Sequence, residues 1–206
     1  MQPAMTSHAS DKNARIAIDR ALWFETHLPI DPDVCASGVV TRAVRAMPSR
    51  AKKAWSDLIA HGMTGTQAEP RPTWMNRGDS LVGKLGHEAV QTAVCGWLTE
   101  LADRPVLRFD PTGADVARGL VWIGSAQRDD RFDAAVVRIA DRPWTRSKQW
   151  SPRHDRFVGA LAYALGLQPH GVAVPIVRAL ATRFRRTTAR YAIERVLAMH
   201  LAPPSA

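Results

Sequence analysis

Cysteine is scarce in this chain of 206 residues: there are two, Cys35 and Cys95. Both sit in apolar stretches that read as helix, "DVCASGVV" and "AVQTAVCGWL", so they suit small buried thiols better than a disulfide framework, and a reducing, cytoplasmic setting is the expectation. No cysteines pair at short spacing and the 7 histidines are scattered, which leaves no structural zinc site of the usual kind. Also missing are a phosphate-binding loop, a dinucleotide glycine pattern, a Gly-x-Ser-x-Gly elbow and a His-Glu-x-x-His pair. Their absence removes the commonest signatures of nucleotide-dependent enzymes, serine hydrolases and zinc peptidases. The opening "MQPAMTSHASDKNAR" lacks a secretory apolar run and reads as a tail. One uncharged run, 157–177, has the length of a membrane span, but "GLQPHG" inside it predicts a helix, a turn and a new element, so no membrane partner is expected. Internal repeats, heptads and low-complexity segments are absent as well.

What is present is an ordinary globular composition, with 46% hydrophobic and 23% charged residues, enough for one core. The expected organisation is one domain over 12–201 between short tails at 1–11 and 202–206. Helical patterns fill 12–103. "KNARIAIDRALWFETHL" reads as a first helix, and "PIDPDVCASGVVTRAVRAM" as a second with Asp31 as N-cap. A third, "SRAKKAWSDLIAHG", carries Trp55, Leu58 and Ile59 inward and stops at Gly62. "MTGTQAEPRPTWMNRGD" reads as a loop, and "DSLVGKLGHEAVQTAVCGWLTELAD" as one long core helix. Between 104 and 140 the texture changes: "PVLRFD", "GLVWIGS" and "RFDAAVVRIA" are short and β-branched or aromatic, separated by the turn-like "PTGADVAR" and "AQRDD". The fold class expected is therefore α+β, mainly helical, with one small β-sheet of about three strands. The segment 141–201 returns to helix, starting at Pro152 with Ser151 as cap and running to Gly166, then again from near Pro175.

Charge is unevenly placed. Residues 1–140 hold 17 Lys and Arg against 16 Asp and Glu, a net of +1, whereas 141–206 hold 11 against 3, a net of +8. Ten of those 11 cations are arginine, whose planar fork matches phosphate geometry. This is the electrostatic footprint of a nucleic-acid surface. The candidate binding residues are Arg142, Trp144, Arg146, Lys148, Trp150, Arg153, Arg156, Arg178, Arg183, Arg185, Arg186 and Arg190. Trp144 and Trp150 flank Arg146 and Lys148, and a base stacked on either ring would be worth about 1–3 kcal/mol; the bland alternative is that both rings pin a connector to the core. Arg153, His154 and Arg156 crowd the first turn of a helix, where cations oppose the macrodipole and a bound phosphate would reverse that effect. Arg178, Arg183, Arg185, Arg186 and Arg190 fan over the polar face of the last helical pattern, which either breaks near Thr187–Thr188 or is buried all round. Arg42, Arg45, Arg50, Lys52 and Lys53 make a second, smaller basic patch.

Three fragments in order, "LVGKLGHEAV", "RFDAAVVRI" and "RFVGALAYALGL", resemble the RecB-like branch of the PD-(D/E)XK nucleases. They cover parts of residues 81–167. The resemblance implies a strand bearing Asp133, magnesium or manganese held by Glu88 and Asp133, and His87 and Asp115 as further catalytic residues. Such enzymes use a carboxylate-held divalent ion to polarise phosphate and activate water, with a lysine close by. Here no lysine follows Asp133 until Lys148. The leading expectation is thus a nucleic-acid-binding protein without a cofactor, a non-catalytic accessory subunit meeting other protein subunits in a DNA- or RNA-handling assembly. The metal-dependent nuclease is the first alternative. A protein-interaction module whose basic face meets an acidic partner is the second.

Overall fold

The computed structural model describes residues 36–65, 69–104, 111–142, 152–168, 173–184 and 188–201. These form α1 (Ala36–Arg45), α2 (Ser49–Thr64), α3 (Pro72–Leu85), α4 (His87–Asp103), α5 (Pro111–Ala126), α6 (Asp130–Ala140), α7 (Pro152–Gly166), α8 (Val174–Arg183) and α9 (Thr188–Leu201). α5 is the hub. It packs most closely on α7 and α2 and also meets α1, α3, α4 and α6, while α9 lies along α7 and α6 along α4.

The expected three-stranded sheet is not there: the fold is all-helical among the described residues. "GLVWIGS" is the second half of α5 and "PTGADVAR", expected as a turn, is its first half; "PVLRFD" lies outside the described residues. Every residue of α5 from Gly113 to Ser125 is buried. A helix with neighbours on all sides has no polar face, and a short apolar run then looks the same whether strand or helix. "RFDAAVVRIA" belongs to α6. Its buried residues Phe132, Ala135, Val136, Ile139 and Ala140 repeat at helical spacing, and Asp129 caps it by accepting from the Phe132 N–H at 2.9 Å. The Val-Val pair suggested strand, but burial of one helical stripe overrides that preference.

Two glycines also act differently from expectation. Gly62 does not stop its helix, which runs on to Thr64. Instead it lies under Gly119 of α5: a Cβ on Gly119 would stand 2.6 Å from the Gly62 Cα, so α2 and α5 cross backbone to backbone. The long helix expected after Asp79 is two helices, because Gly86 sits between them with φ 88°, a conformation that favours glycine. α3 begins at Pro72, inside the stretch expected as a loop. The starts at Pro152 and beside Pro175, the end at Gly166 and the break before Thr188 agree with the sequence pattern. Among the described residues no helix is long and apolar enough to cross a membrane; the run 157–177 is split between α7 and α8.

Candidate functional site

The most unusual chemistry lies where the N-terminal turns of α5 and α7 meet. α5 carries one arginine, Arg118, in an otherwise apolar surround, and it is 0% exposed. Its guanidinium donates to the Asp115 carboxylate at 2.6 Å and to the Met63 carbonyl, in the last turn of α2, at 3.1 Å. The Cζ stands 5.5 Å from the Trp122 ring centroid, one turn further along α5. Burial pulls the Arg118 pKa below the usual arginine value, Asp115 opposes that shift, and Arg156 and Arg153 add to it. The other Asp115 oxygen takes Arg153 of α7 at 3.0 Å, with the Arg153 side chain 39% exposed and the Asp115 side chain 8%. A buried carboxylate thus holds one interior and one half-exposed arginine. Arg156 is half-buried beside them and its Nε lies 3.4 Å from the Pro152 carbonyl. His154 and Asp155, on the same turn, are buried and have partners. Two donors of the cluster, Arg118 Nε and Trp122 Nε1, are buried without a hydrogen-bond partner, an expensive condition.

An aromatic wall extends the cluster. Trp74 of α3 meets Trp122 edge-on, with centroids 5.3 Å apart, and stacks on His61 at 4.4 Å. His61 Nε2 lies 2.9 Å from the Trp74 carbonyl and donates to it when protonated there. Trp74 Nε1 donates to the Thr64 hydroxyl at 3.3 Å. Burial lowers the His61 pKa, the bond to Trp74 raises it, and Arg77 lowers it further.

The structure redistributes the sequence-derived binding residues. Arg142 is no outward-facing cation: its guanidinium donates to the carbonyls of Leu101, Ala102 and Arg104, closing the C-terminal end of α4. Four orphan carbonyls end every helix and a guanidinium satisfies several at once. Arg183 in turn donates to the Arg142 carbonyl at 2.8 Å, which sets the end of α8 beside the exit of α6. Arg178, Arg183 and Arg190 are exposed, with Arg190 paired to Glu194 at 2.5 Å. Arg153 and Arg156 share one turn with Arg118 behind them. Of the five arginines expected on one element, Arg178 and Arg183 lie on α8 and Arg190 on α9; Arg185 and Arg186 lie outside the described residues, as do Trp144, Arg146, Lys148 and Trp150.

The four candidate nuclease residues do not converge. His87 and Glu88 are exposed in the first turn of α4. Asp115, on α5, pairs with Arg153 at the start of α7. Asp133, on helix α6 rather than a strand, binds Arg128 at 2.8 Å, and Arg128 also donates to the Leu167 carbonyl just past the end of α7. The length of α7, about 20 Å at 1.5 Å per residue, therefore separates Asp115 from Asp133. Among the described residues no group of three or more His, Cys, Asp or Glu side chains comes together to hold a metal ion.

Sequence reading missed Arg118, Trp122, Trp74 and His61. The one visible signal was a lone arginine inside "ADVARGLVWIG", three residues after an aspartate and four before a tryptophan. No family model, curated protein or solved structure matches the chain.

Proposed function

We propose that this protein binds nucleic acid through the phosphate backbone, using the basic C-terminal third, and serves as a non-catalytic accessory subunit in a DNA- or RNA-handling assembly in the cytoplasm. The observation that carries this reading is the placement of charge: residues 141–206 hold 11 Lys and Arg against 3 acids. Of those acids Asp155 is buried and Glu194 is already paired, so the cations outnumber exposed carboxylates on this part of the chain. Arg153, Arg156, Arg178, Arg183 and Arg190 are the described side chains assigned to the surface. Arg142 is withdrawn from it, because its fork is occupied by the end of α4. The free, buried thiol of Cys95 suits a reducing compartment.

The test is a binding series with single- and double-stranded DNA and RNA across salt. Each phosphate contact releases counterions, so with about five contacts the affinity falls roughly 500-fold between 50 and 200 mM salt. A flat salt response would refute the reading. Competition by heparin with no binding to any oligonucleotide would support an acidic protein partner instead. Cleavage of plasmid in magnesium or manganese, abolished by chelator, would replace the accessory role with the nuclease one.

A further inference from the structure

We infer that the junction of α5 and α7 is a discrete phosphate site, in which Arg153 and Arg156 clasp the anion from the solvent side and Arg118 Nε and Trp122 Nε1 serve it from within. The inference deepens the reading of the basic third as a phosphate-binding surface, and names the place where one phosphate group is held.

Three observations converge on this junction. First, cations crowd one buried carboxylate: among the described residues Asp115, 6% exposed, pairs with both Arg118, 0% exposed, and Arg153, and the charge of Arg156 also reaches Arg118. The mutual repulsion reaches Arg118, whose pKa is lowered by Arg156 and Arg153 as well as by burial. Second, two N–H donors one helical turn apart on α5, Arg118 Nε and Trp122 Nε1, are buried with no acceptor. The Arg118 guanidinium lies over the Trp122 ring, so both belong to one patch. An oxyanion supplies several acceptor oxygens at once and offsets the crowded positive charge. Third, the opening turn of α7 is part of the junction, and helix N-termini favour anions. Its Pro152 start puts Arg153 in that first turn and Arg156 directly after it.

Asp115 has two roles in this arrangement. It holds Arg118 at 2.6 Å and Arg153 at 3.0 Å, so both guanidinium groups are oriented before a ligand arrives. It also competes with the ligand for Arg153, whose half-exposed side chain exchanges one carboxylate oxygen for a phosphate oxygen while Arg118 keeps its bond to Asp115. The same phosphate chemistry could come from a chain-internal phosphodiester or from a terminal monophosphate, and the two are separated below.

Thermal unfolding of the full chain is followed while inorganic phosphate is titrated against sodium chloride at matched ionic strength. The expected result is a saturable rise in Tm for the wild type. It is lost in the double variant Arg153→Gln/Arg156→Gln and retained in Lys53→Gln, whose side chain is 83% exposed on α2. Trp122→Phe keeps an aromatic ring at this position and removes the indole N–H, and should weaken the apparent phosphate affinity fivefold or more. In the double variant Asp115 still pairs with Arg118, so the fold is retained and loss of the shift reports on the site. A wild-type Tm unmoved by phosphate, or a shift equally large in the double variant, would overturn the site. Oligonucleotides with and without a 5′-phosphate complete the set: a preference of tenfold or more for the phosphorylated end identifies a terminal monophosphate, and equal binding lost in the double variant identifies the backbone. If the wild type shows the phosphate shift and binds no oligonucleotide, the site stands and the nucleic-acid reading falls. If oligonucleotides bind the double variant as well as the wild type and no phosphate shift occurs, the nucleic-acid reading stands and this site falls.

Discussion

Replacing glycine with alanine should change stability in opposite directions at different places in this chain, and the sign follows from the space around each Cα. At Gly119 the added methyl would lie 2.6 Å from the Cα and carbonyl carbon of Gly62 and 2.8 Å from its oxygen. Carbon atoms in contact settle about 3.5–4.0 Å apart, so α2 and α5 must separate by roughly 1 Å. The neighbour is backbone on a packed helix, which has no rotamer to yield. Overpacking of this kind costs about 1–3 kcal/mol. The upper end applies here, because separating the helices also strains the 3.1 Å bond from Arg118 to the Met63 carbonyl, one residue from the crossing. A loss of about 3 kcal/mol lowers the Tm of a chain this size by roughly 6–12 °C. Gly83 and Gly96 are exposed helical positions with nothing within 4 Å of an added Cβ. There alanine restricts the unfolded chain and should stabilise by about 0.4–1 kcal/mol each. Urea unfolding followed by circular dichroism measures all three variants. A Gly119→Ala protein within 0.5 kcal/mol of wild type would refute the close crossing of α2 and α5, and a Gly96→Ala protein clearly less stable than wild type would refute the open space around Gly96.

Two further outcomes rest on single groups. His61 has a folded pKa below its ordinary value of 6.5, mainly through burial, so as pH falls the unfolded chain takes up its proton first; the stability from neutral His61 is intact above 6.5 and declines below it. The stability advantage of wild type over His61→Gln should therefore shrink between pH 7.5 and 5, and a constant difference would show that His61 does not titrate this way. Burial, and then the Asp129 carboxylate 3.8 Å from its sulfur, push the Cys95 thiol up to about 11. In a Cys35→Ser background it should react with a disulfide reagent at pH 8 at least roughly a hundredfold slower than a free thiol. Asp129→Asn should speed that reaction only in part, since burial remains, and should keep the α6 cap because asparagine caps as well as aspartate, whereas Asp129→Ala should lower stability by about 0.5–2 kcal/mol through loss of that cap; a rate equal to that of a free thiol would contradict the buried placement of Cys95.

The sequence was readable wherever a helix has a wet side and a marked end. The inward residues of α2, the stripe of Phe157, Leu161, Ala164 and Leu165 on α7 and the proline starts of α7 and α8 follow from local pattern, and all those side chains are buried. α5 defeated the same reading because its polar partners come from elsewhere: Asp115 meets Arg153 and Arg118 meets Met63, contacts 38 and 55 residues apart. α6 was legible in principle, through its five apolar positions at helical spacing, but Asp129 looks like a turn residue until its carboxylate is seen to cap Phe132. In the basic third the pattern gave the position of the charge, and of its described candidate arginines Arg142 alone is turned onto the end of another helix. Whether an arginine faces solvent, as Arg178 does, or closes another helix, as Arg142 does, depends on long-range packing that composition does not carry.

The complete burial of α5 has a consequence for how the chain comes apart. A surface helix frays or detaches by giving up one face, but α5 touches six other helices and no opening of a single neighbour exposes its middle to solvent. Amide hydrogens near Ala117 and Val121 should then exchange only through the largest unfolding event available to the chain, in step with one another, while those of α9 and α3 exchange earlier through smaller openings. Arg118, tied to α2 directly and to α7 through Asp115, would be freed in the same step, so the charged junction persists until the core itself is lost.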